Sequence, residues 1–265
     1  MTCVDAVQSV NVRARKRNNQ QKKGLCVLEV RRNRERGYTD LGWATTWHTF
    51  STAEFYDPEY IDYAPLRVID DHRIKPGRAF GAHEHRDTEI LSYVLDGELE
   101  HKDSAGNVAV LKPGELQRMS SGRGIVHSES NPSATQAVQF LQIWITASTV
   151  GGPPAYERRS FPAEEKRGRL RLIASPDGED DSVFIRSKVR IYVGLFDAAE
   201  RMTLNIRTGR RAFLHVARGS IAANDTRLNA GDGAKITQTG AIELQKASAA
   251  ELLVFDLPAP RVGPG

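Results

Sequence analysis

The sequence has few cysteines and no long apolar run, and these absences exclude whole classes of protein. Cys3 and Cys26 are the only cysteines among 265 residues, too few for a disulfide framework and without the spacing of a cysteine metal site. No apolar run approaches the roughly 18 residues of a membrane span, so a membrane partner is not expected. The first residues also lack the apolar core of a secretory signal. We therefore predict a cytoplasmic protein with two free thiols.

Excess positive charge is confined to the start of the chain. The formal net charge is +4, but residues 1–36 hold ten Lys/Arg against three acidic residues, a local charge of +7. Residues 37–265 are left with a net charge of −3. An acidic body does not favour binding to the phosphates of nucleic acid, so such a partner is expected only through the basic segment. We predict residues 1–24 to be a basic, disordered leader.

Long helical patterns are missing from the first half, and short strand candidates take their place. These candidates run from Leu66–Ile69 to Ala137–Ile145, with turn residues at Asp96-Gly97 and Lys112-Pro113-Gly114. Many short strands at this spacing are typical of an antiparallel barrel or jelly roll.

A second series of strands follows a Gly- and Pro-rich break at residues 149–154. Its turn at Arg218-Gly219-Ser220 echoes Asp96-Gly97-Glu98, which we interpret as an internal repeat. The sequence thus predicts an all-β fold of two tandem antiparallel β-barrel domains of the jelly-roll type. The predicted boundaries are residues 25–150 and 151–258, with residues 259–265 as a loose tail.

Two short pairs of potential metal ligands are the strongest chemical signal. His83 with His85, and His127 with Glu129, each lie two residues apart, which on a strand places both side chains on one face about 6.6 Å apart. If the two strands are neighbours, three imidazoles and a carboxylate converge. Such a set suits a divalent first-row metal with positions left for water or substrate. Glu89 is the other candidate carboxylate, but it lies about 13 Å beyond His85 on a straight strand, so Glu129 is preferred.

Aromatic residues crowd the segment from residue 38 to residue 63. Trp47, His48 and Phe50 are therefore predicted to bind substrate, because aromatic side chains can stack on a planar ligand. Ordinary packing over a sheet edge accounts for the same pattern, and both interpretations stay open.

The isolated histidines carry weaker signals. His101 stands beside Asp103 before a turn, where it could shuttle protons, although a structural hydrogen bond is the preferred interpretation. His215 has no histidine two residues away, so the second domain is predicted to hold no metal of this type.

Six segments around the ligand pairs form a recognisable set of motifs. They are Trp47-His48-Thr49-Phe50-Ser51, Tyr56-Asp57-Pro58, Phe80-Gly81-x-His83-x-His85-Arg86-Asp87, Pro113-Gly114-x2-Gln117-x-Met119, Gly122-x-Gly124-x2-His127-Ser128-Glu129 and Gln142-Ile143-Trp144. These motifs resemble those of the cupin superfamily and, more closely, those of the pirin family. The resemblance is highly specific over residues 42–145 and only topological afterwards. Two features depart from the usual pattern: Glu84 stands where a proline is common, and the basic leader is extra.

The resemblance implies a bicupin with one metal, bound in the N-terminal barrel by His83, His85, His127 and Glu129. It further implies a metal-dependent dioxygenase of the quercetin 2,3-dioxygenase type, which cleaves flavonols with O2 and uses Glu129 as ligand and catalytic base. Fe(II) is the preferred metal, while Mn, Ni, Cu, Co or Zn fit the same donors.

Two questions of function stay open at this point. The alternative to an enzyme is an iron-containing, redox-sensing regulatory protein that binds a protein partner without turnover. For an enzyme, the expected partners are O2 and a small planar aromatic substrate, for which quercetin can be a surrogate. A monomer is the default expectation.

Overall fold

The computed structural model describes residues 28–52, 55–238 and 240–260. The predicted leader over residues 1–24, both cysteines and most of the predicted tail lie outside these ranges. Within them, strands dominate and the helical elements are single turns, which confirms the all-β prediction. No helix in the described part is long and apolar enough to cross a membrane.

The described elements are mostly short strands joined by tight turns. In chain order the first are β1 (Leu28–Arg31), β2 (Gly37–Asp40), β3 (Ala44–His48), β4 (Leu66–Ile74), β5 (Ala79–His85), β6 (Thr88–Asp96), β7 (Leu99–Asp103), β8 (Val108–Leu111), β9 (Glu115–Ser120), β10 (Ile125–Ser130) and β11 (Val138–Thr146). They are followed by β12 (Ala155–Ser160), α1 (Ala163–Lys166), β13 (Arg171–Ser175), β14 (Val183–Phe184), β15 (Arg190–Phe196), β16 (Met202–Ile206), β17 (Arg210–Ala223), β18 (Thr226–Asn229), β19 (Gly233–Ile236) and β20 (Gly240–Pro258). Two 3-10 turns cover Asn33–Glu35 and Glu179–Asp181.

The first half is a jelly roll made of two facing antiparallel sheets. One sheet has the order β5-β10-β7-β8, and the other has the order β12-β9-β6-β11-β4-β3-β2. Because side chains alternate along each strand, every second residue points between the sheets. Leu99, Leu111 and Phe140 are among the buried residues of the core there. The two sheets are not joined by hydrogen bonds into a closed barrel, so the predicted barrel is an open jelly roll.

The second half repeats this arrangement within one sheet of order β1-β19-β17-β20-β15-β13-β14, to which β16 and β18 are added at β20 and β17. The first part of β17 pairs with β19 and its last part with β18, with a break in register at Gly219. In the same way, β20 pairs first with β16 and then with β15. Both long strands therefore serve two layers, and an apolar core lies between those layers. Segments predicted as separate strands, such as Ala212–Ala217 and Ser220–Ala223, are parts of one strand.

Topology confirms the internal repeat. The neighbours β5-β10-β7-β8 of the first half correspond to β16, the first part of β20, the last part of β17, and β18. The echo of Gly97 at Gly219 marks the same bend between layers in both copies, and both glycines have a positive φ. The all-β prediction with two tandem jelly rolls is therefore confirmed.

The two halves share one apolar core. The outer face of the seven-stranded sheet contributes Leu91 and Ile143, and the second half contributes Ile191 and Phe213 to the same buried cluster. In addition, β1, which lies within the predicted first domain, pairs with β19 of the second half. The predicted division at residue 150 stays a prediction.

Candidate metal centre

Three histidines meet on the inner face of the four-stranded sheet. The antiparallel pairing of β5 and β10 places His83 directly opposite His127. His85 lies two residues further along β5, on the same face of the strand. The Nε2 atoms of His83 and His127 are 3.1 Å apart. Each of the three residues offers a ring nitrogen, and these nitrogens all lie within 4.8 Å of one another. We call His83, His85 and His127 the histidine cluster.

A bulge in β5 accompanies this convergence. After the pair of His127 with His83, Glu129 pairs with Phe80, so β5 contains one extra residue there. The Gly81 carbonyl lies in the bulge and accepts a hydrogen bond of 2.8 Å from Nδ1 of His83. Because Nδ1 carries the hydrogen, the lone pair of His83 is on Nε2, the atom that faces His127.

Burial keeps two of the three histidines, His85 and His127, neutral. His127 is only 1% exposed, and burial, with the nearby His83, lowers its pKa to about 3. Burial followed by His83 also lowers the pKa of His85 to about 4. Neutral imidazoles keep a lone pair for a metal. Nε2 of His85 is buried without a hydrogen-bond partner, an arrangement that calls for a ligand.

Glu129 is fully buried beside the cluster and is held by donors from the opposite sheet. Its Oε1 accepts hydrogen bonds from Ser92 Oγ at 2.6 Å and from Gln117 Nε2 at 3.2 Å. Its Oε2 accepts one from the amide of Gln142. Burial raises the pKa of Glu129, although the hydrogen bond from Ser92 opposes that rise. The carboxyl group is therefore fixed in position and has a higher proton affinity than an exposed one.

His101 also lies beside Glu129 and the histidine cluster. Its Nε2 donates to Asp103 at 3.1 Å, which confirms the structural hydrogen bond expected from the sequence. The same residue also offers a ring nitrogen within 4.8 Å of ligand atoms of His127 and Glu129. Its ring stacks on Tyr156 with the centroids 5.0 Å apart. This closeness of His101 to His127 and Glu129 could not be read from the sequence, because β7 and β10 become neighbours only in the fold.

Aromatic and apolar side chains wall the cluster. The ring of Trp144 meets that of His85 edge to face at 4.8 Å, and its Nε1 donates to Gln142 Oε1 at 3.0 Å. Trp144 is partly buried and packs against the buried side chains of Met119 and Ile125. Trp144 therefore offers an aromatic ring directly beside the histidines.

The predicted substrate-binding residues lie in three different environments. Phe50 is fully buried and packs against Phe213 of the second half at 5.2 Å, so it has no free surface for a substrate. Trp47 alternates with His48 along β3 and points to the opposite face. His48 lies on the inner face, where its Nδ1 donates to Asp70 at 3.0 Å. The structure thus brings neither Trp47 nor Phe50 to the histidine cluster, and a contact to His48 stays a prediction.

The alternative carboxylate, Glu89, lies on the wrong side of its strand. It is three residues from Ser92 along β6 and so points to the opposite face. There it accepts a hydrogen bond of 2.8 Å from Ser120 Oγ and lies 4.0 Å from Nε of Arg118. Glu129, and not Glu89, shares a group of potential ligands with His127.

Two of the three donors to Glu129, Ser92 and Gln142, could have been recognised as interruptions of apolar strands. Ser92 stands between Leu91 and Tyr93, and Gln142 between Leu141 and Ile143. A single polar side chain on the buried face of such a strand needs a partner. Which partner it has depends on the facing sheet, and that sheet is not defined by local sequence.

Comparison with known proteins decides the family. The pirin family model matches residues 28–145, and a model described as the quercetinase C-terminal cupin domain matches residues 172–257. A quercetin 2,3-dioxygenase of Escherichia coli K12 is 40% identical over 88% of this chain and 99% of its own length. The chain belongs to the pirin family. A pirin-like protein of Caulobacter vibrioides is 36% identical over 83% of this pirin-family chain and 95% of its own.

A solved structure connects the family to a metal. The bacterial pirin YhhW of E. coli in complex with nickel(II) matches this chain with a TM-score of 0.84 at 38% identity, covering 88% of this chain and 100% of that one. In the present structure, the 3.1 Å between Nε2 of His83 and of His127 is close to the roughly 3 Å that separates two neighbouring nitrogen ligands of one cation. The residues present therefore fit a divalent transition metal.

Proposed function

We propose that this protein is a metal-dependent dioxygenase that cleaves a flavonol such as quercetin with O2. The observation that carries the proposal is the convergence of the three ring nitrogens of the histidine cluster beside a buried, hydrogen-bonded carboxylate. His83, His85, His127 and Glu129 would hold the metal. Fe(II) is the metal we propose first, with Mn, Ni, Cu, Co and Zn compatible with the same donors. O2 and a small planar aromatic molecule are the partners.

The bound metal would supply Lewis acidity to a substrate hydroxyl and a place for O2 next to it. The protein supplies the proton acceptor. Oε2 of Glu129 accepts one hydrogen bond, from Gln142, whereas Oε1 accepts two, so Oε2 keeps a lone pair for the hydroxyl proton. Because burial raises the pKa of Glu129, its carboxylate is a better base than an exposed glutamate.

The surrounding residues orient the reactants. Trp144 offers a ring to stack on the planar substrate, and its bond to Gln142 ties that ring to the donor of Glu129. Tyr156 donates to Gln117 at 3.0 Å and so holds a second donor. The buried side chains of Met119 and Ile125 would exclude water from the inner part of the site. This protects the deprotonated substrate from side reactions with water.

The test is oxygen uptake with quercetin together with elemental analysis of freshly purified protein. We expect His127→Ala to lose both metal and uptake. We expect Glu129→Gln to lower kcat by about 10²- to 10⁴-fold, the usual contribution of a positioned base. Glu89→Gln is the matched control, because it neutralises a carboxylate that is equally buried but points to the other face.

Equal activity of Glu129→Gln and the unaltered protein would contradict the proposed role of Glu129. A metal-loaded protein without oxygen uptake, but with a protein partner bound differently in the ferrous and ferric states, would favour the regulatory alternative.

A further inference from the structure

The second jelly roll contains a counterpart of the metal centre that is entirely aliphatic. In each copy, the last residue of the edge strand pairs with the first residue of the next: His85 with Ile125, and Ile206 with Gly240. Counting along the strands from these pairs gives the residue of the second jelly roll that corresponds to each ligand position of the first. The places of His83, His85, His127 and Glu129 are taken by Leu204, Ile206, Ile242 and Leu244.

The donors to Glu129 have aliphatic counterparts as well. Ser92 lies five residues before Gly97, and Leu214 lies five residues before Gly219. Ser92 pairs with Gln117 and Gln142 on its two sides, and Leu214 pairs with residues of β19 and β20. The places of Ser92, Gln117 and Gln142 are taken by Leu214, Ala234 and Val254. All three replacements are buried in the core of the second jelly roll.

The counterpart residues Leu214, Ala234, Ile242 and Leu244 belong to a packed core, and a cavity opens at the edge of that core beside Leu204, Ile206 and Val254. The cavity has a volume of about 630 Å³, within the roughly 300–1,000 Å³ of small-molecule sites. Tyr192, Met202 and Leu204 are only partly buried around it. Seven of its fourteen lining residues are polar or charged, and the apolar ones are Leu170, Tyr192, Met202, Leu204, Ile206, Ala212 and Val254. We call it the second cavity.

Three arginines stand at the second cavity, and two of them are neutralised. Arg190 forms an ion pair with Asp177 at 2.8 Å, and Arg210 forms one with Asp256 at 2.8 Å. Arg207 is exposed, and its side chain makes no hydrogen bond or ion pair with any residue that the structure describes. Arg190 also forms an ion pair with Glu179, so three carboxylates balance the three arginines, but Arg207 alone has no carboxylate partner among the described residues at the mouth of the cavity.

We propose that the second cavity binds a small monocarboxylate with an apolar body, such as a medium-chain fatty acid. The aliphatic lining takes the body because burying apolar surface is favourable, and Arg207 pairs with the carboxylate. A single unpaired arginine matches one negative charge. The site needs no metal and lies in the half that the proposed oxygenase reaction does not use.

The methionines allow a direct test in the full-length, metal-loaded protein. The chain has three, of which Met119 walls the metal centre and Met202 lines the second cavity. With 13C-labelled methionine methyl groups, titration with octanoate should shift the Met202 signal saturably and leave the Met119 signal unchanged. Octanoate that shifts only Met119 occupies the metal centre and overturns the proposal, as does the absence of any shift.

Two charge variants test recognition of the carboxylate. We expect Arg207→Gln to weaken octanoate binding about fivefold, as fits one partly exposed ion pair. Arg201→Gln, which removes the same charge from an exposed position outside the cavity, should leave binding unchanged. 1-Octanol should bind as weakly to the unaltered protein as octanoate binds to Arg207→Gln. Equal losses in both variants, or equal binding of acid and alcohol, would show that Arg207 does not select the ligand.

A cavity-filling variant tests the location. Leu204→Trp should abolish the octanoate effect while oxygen uptake with quercetin is retained, because Leu204 lies away from the metal centre. Unchanged octanoate binding in a folded Leu204→Trp protein would contradict the proposal. If that variant fails to fold, the pair Arg207→Gln and Arg201→Gln still decides.

Discussion

At the scale of single residues, burial controls the protonation of the histidines. His72 is 7% exposed on the inner face of the first jelly roll, where its Nδ1 lies 2.8 Å from Thr46 Oγ1 and its ring packs against Phe80 and Phe140. Burial lowers its pKa from 6.5 to about 4. A histidine in this environment is neutral in the folded protein at pH values where it is charged in the unfolded chain.

This difference predicts a pH dependence of stability. Because the folded pKa lies below the unfolded one, the unfolded state takes up the proton first, and stability present above pH 6.5 is lost as the pH falls towards 4. The loss attributable to His72 is roughly 3 kcal/mol over that window. In His72→Phe, the free energy of unfolding measured with urea should fall less steeply between pH 6.5 and 4. Parallel curves for the two proteins would show that His72 does not contribute.

At the scale of elements, the bends between layers depend on backbone conformation. Gly97, between β6 and β7, has φ +70°, and a Cβ there would lie 2.4 Å from the carbonyl oxygen of Ala137. Gly219 has φ +62°, and its Cβ would lie 2.1 Å from the carbonyl oxygen of Ala249. At both bends, backbone from a distant part of the chain passes too close for any side chain.

We therefore expect Gly97→Ala to destabilise the protein by about 2–4 kcal/mol, since it adds a backbone clash to the cost of a left-handed residue. Gly106→Ala is the matched control: its φ is +92°, but nothing lies within 4 Å of the added Cβ. That variant should lose only about 1 kcal/mol. Thermal melts of the two proteins compare the losses, and a smaller loss in Gly97→Ala than in Gly106→Ala would contradict the role of the close approach.

At the scale of the whole molecule, the shared core joins the two jelly rolls. Phe213 of the second half is fully buried and contacts both Phe50 and Tyr63 of the first half, with ring centroids 5.2 and 6.2 Å apart. Tyr93 of the first half donates to Glu251 of the second at 2.6 Å. Apolar and polar contacts of this kind couple the stability of one half to that of the other.

The coupling predicts the response to Phe213→Ala. The loss of a buried phenylalanine should cost about 3–5 kcal/mol. All three tryptophans, Trp43, Trp47 and Trp144, lie in the first half, so their fluorescence follows the unfolding of that half alone. If the halves unfold together, the fluorescence midpoint in denaturant should shift as far as the circular dichroism midpoint. Phe184→Ala, which removes a 42% exposed ring of the second half, should shift neither. A shift seen only by circular dichroism would show independent halves.

The candidate metal ligands could be picked out from the sequence because their spacing is local. A separation of two residues places His83 with His85, and His127 with Glu129, on one face of a strand whatever the surroundings. The side chains that surround the histidines, and the hydrogen-bond donors that hold Glu129, could not be predicted in the same way. Trp144 and Gln142 approach the site from the facing sheet, and Trp47 and Phe50 are directed away from it.

The amino-acid sequence by itself determined the all-β class, the repeated bends at Gly97 and Gly219, and the ligand pairs, because each depends on backbone preference or on side-chain alternation along one strand. Only the tertiary structure decided which carboxylate faces the histidines, which rings wall them, and that the second copy of the site is an aliphatic core with a cavity at its edge. Those features depend on pairing between strands far apart in the chain, where register and the choice of facing sheet set each contact.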